Sequence, residues 1–251
     1  MEYDRDAPPH GADQLTSRAK RPRGSGPLTI LDLFSVPPAT QAKRQRTSSS
    51  LDVADCVAHL PGVLTRAEAR NAIANLRREI KTTQGQVRIR GKVLNEARLT
   101  AYYVRRHWAD PCLADRPYVY SGKAIGNAKD FTPSVEMLCA RVEDALGKPR
   151  GTYTAVLINE YRDGSDHISW HSDDDYSIDR TDIASLSLGA TRDFKVRAKA
   201  DRTRQTTFAL DSGDVLHMHG ACQELYEHHV PKRARASGMR FNLTFRRLAA
   251  H

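Results

Sequence analysis

His171-Ser172-Asp173 sets an imidazole and a carboxylate two residues apart, the spacing at which side chains on an extended strand project to one face. Alone, the pair is a common accident of sequence. It gains meaning if a second nitrogen ligand returns from further along, and His217, His219, His228 and His229 compete for that place. Two histidines and one carboxylate occupy one face of Fe(II) and leave positions open, the ligand set of non-haem iron oxygenases. Downstream, Arg240, Asn242, Thr244 and Arg246 alternate with Phe241, Leu243 and Phe245, which predicts a strand with one polar and one apolar face. Two arginines on that face, beside a metal, suit an organic dianion, because guanidinium binds carboxylate bidentately. An inward-facing Arg240 is costly without such an anion.

Positioning these groups takes strands. From Tyr153 onward the sequence reads as short strands separated by turns, at 154–161, 183–188, 193–197, 206–210, 215–218 and 240–245. Regular spacing of this kind indicates a sandwich or barrel, and with a metal site inside, a double-stranded jelly roll is the natural form. Two helices precede most of it. Thr65 and Glu68 form a capping box ahead of the apolar stripe Ala69, Ile73, Leu76 and Ile80. Thr132-Pro133 opens the second, with Val135, Leu138, Val142 and Leu146 as its stripe and Gly147 as its stop. The expected class is α+β: a double-stranded β-helix core, one sheet of which is buttressed by helices 65–80 and 132–146. Residues 86–94, with Arg88, Arg90, Gly91 and Lys92, read as a basic strand or hairpin, and an edge strand kept soluble by charge is the plain alternative.

The 251 residues divide into a tail over 1–50 and a domain over 51–251 that is long enough to bury a core. The tail holds six of the 12 prolines amid Ser, Gly, Lys and Arg, the composition of a disordered segment. Lys20-Arg21-Pro22-Arg23 and Lys43-Arg44-Gln45-Arg46 are basic clusters suited to nuclear import, or to plain solvation. Between them lies one apolar island, residues 28–34, of the kind that folds on binding a groove. It resembles a degenerate sliding-clamp-binding peptide, with Ile30, Leu33 and Phe34 as the plug and Pro27 where that motif carries Gln. The net charge of +9 suits a polyanion such as nucleic acid. Cys56, Cys112, Cys139 and Cys222 show no paired spacing and read as reduced thiols of an intracellular protein. No secretory signal is visible, and no apolar run approaches the length that spans a bilayer.

Taken together, His171-x-Asp173, the later His228 and Arg240-x-Asn242-x-Thr244-x-Arg246 resemble the AlkB family of Fe(II)/2-oxoglutarate dioxygenases, which repair alkylated nucleic acid. The similarity runs over roughly residues 85–248 and includes Asn159-x-Tyr161-x-Asp163-Gly164, Pro117-Tyr118-Val119-Tyr120-Ser121-Gly122 and residues 183–190. In that family the ligand histidine precedes a Val-Pro or Leu-Pro pair by one residue, which singles out His228 from His228-His229-Val230-Pro231. The resemblance implies Fe(II) on His171, Asp173 and His228, with 2-oxoglutarate and O2 as co-substrates. It implies Arg240 on the distal carboxylate of 2-oxoglutarate and Arg246 nearer the keto acid. Asn159, Tyr161, Asn242 and Thr244 complete that site. It places Tyr118 and Tyr120 as walls of the damaged-base pocket, Asp174 or else Asp175 on a cationic lesion, and Arg90 and Lys92 against DNA. The implied activity is oxidative demethylation of N-alkylated bases in DNA, by a nuclear monomer with no membrane contact. An RNA demethylase and a catalytically silent nucleic-acid binder on the same scaffold are the alternatives, and the complete set of ligands and strand arginines argues against the latter.

Overall fold

Both helices begin where their caps direct. Helix α1 (Arg66–Glu79) starts at Thr65, whose hydroxyl accepts the Glu68 amide while the Glu68 carboxylate accepts the Thr65 amide. Helix α2 (Pro133–Ala145) starts at Thr132 with Pro133 in its first turn, and Gly147 beyond its end takes a φ of 63°. The computed structural model describes residues 52–89, 91–107, 118–120, 123–125, 129–235 and 238–249. The basic clusters, the 28–34 island, Cys112 and Arg90 lie outside the described residues, as do the side chains of Tyr118 and Tyr120.

The strands, in chain order, are β1 (Val57–Leu60), β2 (Thr83–Ile89), β3 (Lys92–Val104), β4 (Tyr118–Tyr120), β5 (Lys123–Ile125) and β6 (Lys129–Asp130). They are followed by β7 (Ala155–Tyr161), β8 (Ile168–His171), β9 (Asp182–Gly189), β10 (Arg192–Ala198), β11 (Gln205–Leu210), β12 (Val215–His219), β13 (Tyr226–Val230) and β14 (Arg240–Arg246). The large sheet runs β1-β12-β9-β14-β7-β3-β2, with β6 beside β3, and the small one runs β11-β10-β13-β8. From β7 to β14 the chain winds between the two: β7, β9, β12 and β14 lie in the large sheet, while β8, β10, β11 and β13 lie in the small one. That winding, antiparallel throughout, is a jelly roll. β2 and β3 form the hairpin expected at 86–94 and extend the large sheet at one edge.

The two faces of β14 decide where everything goes. Phe241, Leu243 and Phe245 join one apolar cluster with Ala69, Ala72 and Leu76 of α1 and Val135, Leu138 and Val142 of α2, so both helices cover the outer face of the large sheet. Ile73 and Ile80, expected in the α1 stripe, sit at the margin of that cluster, and Ala72 takes a central place. The opposite face of β14 carries Arg240, Asn242, Thr244 and Arg246, all buried. They face the small sheet across the barrel interior. Gly189 makes the approach at the β9 end possible: its φ is 104°, and a Cβ there would stand 2.4 Å from the Met239 carbonyl oxygen.

Between β7 and β14 two strands went unread in the sequence, and they carry the histidines. β8 has only four residues, and the buried positions of β13 are Tyr226, His228 and Val230. With an imidazole in the middle inward position, β13 shows no apolar alternation to detect.

Candidate active site

β13 and β8 pair with His228 directly opposite His171. The next pair is Val230 with Ile168, so Ser169 and Trp170 together face the single residue His229. Trp170, next to the inward His171, faces outward, and the bulge leaves Ile168 lining the interior along with His171. It also presents the Ser169 carbonyl to His171 Nδ1 at 2.8 Å. A carbonyl only accepts, so Nδ1 carries the proton and Nε2 is free to bind a metal. Nε2 faces Asp173 Oδ1 at 3.6 Å. Ligand atoms from His171, Asp173 and His228 all lie within 4.8 Å of one another.

Asp173 is held from two sides. Arg246 Nη2 donates to its Oδ2 at 2.7 Å, and its own amide donates to Gln223 Oε1 at 2.9 Å. Burial alone would push the carboxyl up, but Arg246, followed by His228 and His171, outweighs burial and holds it well below the usual carboxylate range. Burial, and secondarily His171, pushes the His228 imidazole down to about 3. A carboxylate and two neutral imidazoles therefore converge, the protonation state a metal requires.

The other histidines point elsewhere. His229 turns to the outside of the small sheet, where its ring stacks on Trp170 at 3.8 Å. His217 Nε2 bonds Asp182 Oδ1 at 2.9 Å on the large sheet, and the His219 ring lies 5.0 Å from that of His217.

The second half of the site is built around Arg240, which is 1% exposed. Its Nη2 donates to Ser187 Oγ at 2.9 Å and its guanidinium lies 5.2 Å from the Tyr161 ring centroid, but Nε and Nη1 find no hydrogen-bond partner. Burial pushes its pKa down to about 10. A second buried arginine, Arg192, covers the same Tyr161 ring at 5.4 Å and bonds the carbonyls of Asp163, Asp166 and Pro231. Asn159, Tyr161, Asn242, Thr244 and Arg246 line one cavity with His171, Asp173 and His228. Asn242 Nδ2 donates to Ser185 Oγ at 2.6 Å and its Oδ1 accepts the Thr244 hydroxyl at 3.2 Å, so this amide frames the wall.

Of the expected substrate contacts, Asp174 is exposed beside the metal ligands, whereas Asp175 closes its own turn by accepting the Ser177 amide and hydroxyl. Lys92 is exposed at the start of β3. Sequence reasoning passed over Glu96 and Arg98, both buried on β3. Arg98 Nε donates to Asn159 Oδ1 at 2.6 Å and thereby sets the orientation of that amide. The signal was present: Glu96, Arg98 and Thr100 recur at a period of two, a polar strand face turned inward. Ser187, which orients Arg240, shares a period-two polar face with Ser185, whereas Gln223, which orients Asp173, had no such signal.

A His-Asp-His donor set, with a buried guanidinium that keeps two unpartnered donors on the strand face lining the same cavity through Asn242, Thr244 and Arg246, fits Fe(II) and a dicarboxylate. The sequence model of the 2OG-Fe(II) oxygenase superfamily matches residues 56–246. The mouse (Mus musculus) DNA oxidative demethylase ALKBH2 is 33% identical over 194 residues, which cover 73% of this chain and 76% of that protein. The chain belongs to the AlkB family of 2OG-Fe(II) oxygenases. The alpha-ketoglutarate-dependent dioxygenase alkB homolog 3 of Bos taurus is 35% identical over 196 residues, 74% of this chain and 64% of that protein. This AlkB-family chain thus spans less than two thirds of that relative's length, and 51% of the length of its Homo sapiens counterpart. Among solved structures, OsALKBH1 aligns with a TM-score of 0.52 at 17% identity, over 76% of this chain and 97% of that one, a likeness of fold. The cofactors of an AlkB-family protein follow: Fe(II), 2-oxoglutarate and O2.

Proposed function

We propose that this protein repairs DNA by oxidative demethylation of bases alkylated at ring nitrogens, such as 1-methyladenine and 3-methylcytosine. The observation that carries the reading is the buried Arg240, on the inward face of β14 with two donors, Nε and Nη1, that have no partner among the described residues. His171, Asp173 and His228 hold Fe(II). Arg240 grips the distal carboxylate of 2-oxoglutarate, assisted by Tyr161, while Asn159, Asn242, Thr244 and Arg246 frame its keto acid end. Bound together, these cofactors couple decarboxylation of 2-oxoglutarate to hydroxylation of an N-methyl group. One O2, one 2-oxoglutarate and the methylated base yield succinate, carbon dioxide, formaldehyde and the restored base.

The chain's own residues supply orientation and charge. Arg246 ties down Asp173 Oδ2 and leaves Oδ1 toward the metal position. Arg98 turns Asn159 into the cavity. A base methylated at a ring nitrogen is cationic, and the exposed Asp174 carboxylate favours it over the neutral base. Tyr118 and Tyr120 wall the base pocket, and Lys92 and Arg90 contact the nucleic-acid backbone. We place the protein in the nucleus, on the strength of the basic clusters in its tail, and propose that it acts as a monomer with residues 28–34 as its contact with a sliding clamp.

The test is incubation of an oligonucleotide carrying 1-methyladenine, single-stranded and in duplex, with Fe(II), 2-oxoglutarate and ascorbate, followed by mass spectrometry and formaldehyde detection. Loss of one methyl group that requires both iron and 2-oxoglutarate supports the reading. Loss only from the matching RNA would move the substrate, and no loss from either would overturn the assignment.

A further inference from the structure

The ligand His171 ends a short edge strand of the barrel. β8 has four residues and, among the described residues, pairs with β13 alone, apart from one backbone bond just ahead of it from the His167 amide to the Ala97 carbonyl of β3, and the bulge at Ser169-Trp170 interrupts the β13 pairing. A ligand on a loose edge would not hold a metal in fixed geometry, because affinity depends on how well the surrounding contacts orient each donor. Something else must fasten β8.

We propose that Trp170 is a positioning residue for the metal site, clamping β8 from outside the barrel so that His171 is held inside it. Trp170 and His171, consecutive on the strand, face opposite sides of it. Trp170 lies across the outer face of the small sheet, its ring stacked on His229 of β13 at 3.8 Å and 27°. The Arg197 guanidinium of β10 lies 3.9 Å from the Trp170 ring centroid. Arg197 is itself fixed by Glu227 of β13, to which its Nε donates at 2.6 Å. One indole thereby links three adjacent strands, through stacking on one partner and a cation–π contact with another. Ser172 adds a tether just beyond the ligand, its hydroxyl donating to the Tyr226 carbonyl at 2.9 Å. This also gives His229 its place: a stacking partner on the outside of the sheet.

The inference rests on the assignment of His171 as a ligand, so the experiment separates the two. Mn(II) affinity is measured by calorimetry on the full chain, together with urea midpoints. Wild type binds and His171→Ala does not; failure of either would overturn the metal-site reading itself. Trp170→Ala is expected to weaken Mn(II) binding by about 10- to 100-fold, the range for outer partners of metal ligands. Trp170→Phe, which keeps a ring in the stack, recovers most of the affinity. Leu76→Ala, which loosens the helical cluster on the far side of the large sheet, loses stability but keeps Mn(II) affinity. Arg197→Met removes the cation and leaves the indole, and is read in the same way should Trp170→Ala not fold. Wild-type Mn(II) affinity in the clamp variants, or a loss no greater than that of Leu76→Ala, would overturn the proposal.

Discussion

Replacing Arg240 with methionine tests the dianion site by two effects of opposite sign. The wild-type guanidinium is 1% exposed, with one bond to Ser187 and two donors, Nε and Nη1, that have no partner. Hydrogen bonds to charged groups contribute about 1.5–3 kcal/mol each, so losing a bidentate grip on a carboxylate costs about 3–6 kcal/mol of ligand binding. At 1.4 kcal/mol per decade, 2-oxoglutarate affinity falls by roughly a hundred- to ten-thousandfold. Folding stability moves the other way. Each unsatisfied buried donor costs about 1–3 kcal/mol, and methionine has none, which offsets the lost Ser187 bond and the contact with Tyr161. The metal-loaded, ligand-free variant is therefore expected to be no less stable than wild type. Urea denaturation with Mn(II), with and without 2-oxoglutarate, reads both effects. Wild type gains about 2.7 kcal/mol at a ligand concentration of a hundred times its Kd, and Arg240→Met gains at most about 0.4 kcal/mol at that concentration. A variant that still gains as much from 2-oxoglutarate as wild type, or one that is several kcal/mol less stable in its absence, would show Arg240 to be a structural residue and refute the argument.

Four further outcomes are expected. His228→Ala abolishes metal binding and turnover, whereas His229→Ala keeps the ligand set and turns over; methyl release and calorimetry distinguish them. Asp174→Asn lowers kcat/KM for a cationic methylated base by about tenfold or more while Asp175→Asn does not, since only the former removes a carboxylate that is not already closing a turn. Glu143 is fully buried and accepts from Arg105 Nη1 and from the Gly151 and Tyr153 amides, so Glu143→Ala should cost about 3–5 kcal/mol by urea unfolding. For Asp182, burial works against the carboxylate, but His217, Lys148 and Tyr153 outweigh it and hold the pKa well below the usual range. A folded value below the unfolded one means that this stabilisation is complete above about pH 4 and is lost as pH falls through the folded value, so Asp182→Asn should flatten the acid limb of stability against pH.

The helices and the large-sheet strands β7, β9, β12 and β14 were legible because their signals are local. Thr65-x-x-Glu68 and Thr132-Pro133 are cap chemistry, and Arg240 to Arg246 alternates cleanly because one face meets helices and the other a polar cavity. β8 and β13 were not legible for a reason tied to function: inward positions that packing would fill with aliphatic residues hold His171 and His228. The site erases the periodicity of the strands that build it. Likewise, Gln223 acts only through a contact made across the fold, on the Asp173 amide, and nothing in its own neighbourhood marks it.

The choice between His228 and His229 shows how much a strand register decides. Adjacent residues on a strand face opposite ways, so once His228 pairs with His171 inside the barrel, His229 must lie outside it. The bulge adds one residue to β8 and none to β13, so that Ile168, three residues before His171, also faces inward, while ordinary alternation sets Trp170 against His229 outside and His171 against His228 inside. A single-residue deletion at Ser169 would remove the bulge together with the carbonyl that fixes His171 Nδ1, and leave His171 opposite His228 on the inner face. That deletion is expected to weaken Mn(II) binding in protein that remains folded, because His171 keeps its face but loses the bond that sets its tautomer. Wild-type Mn(II) affinity in a folded Ser169 deletion would mean that the Ser169 carbonyl does not set the ligand geometry.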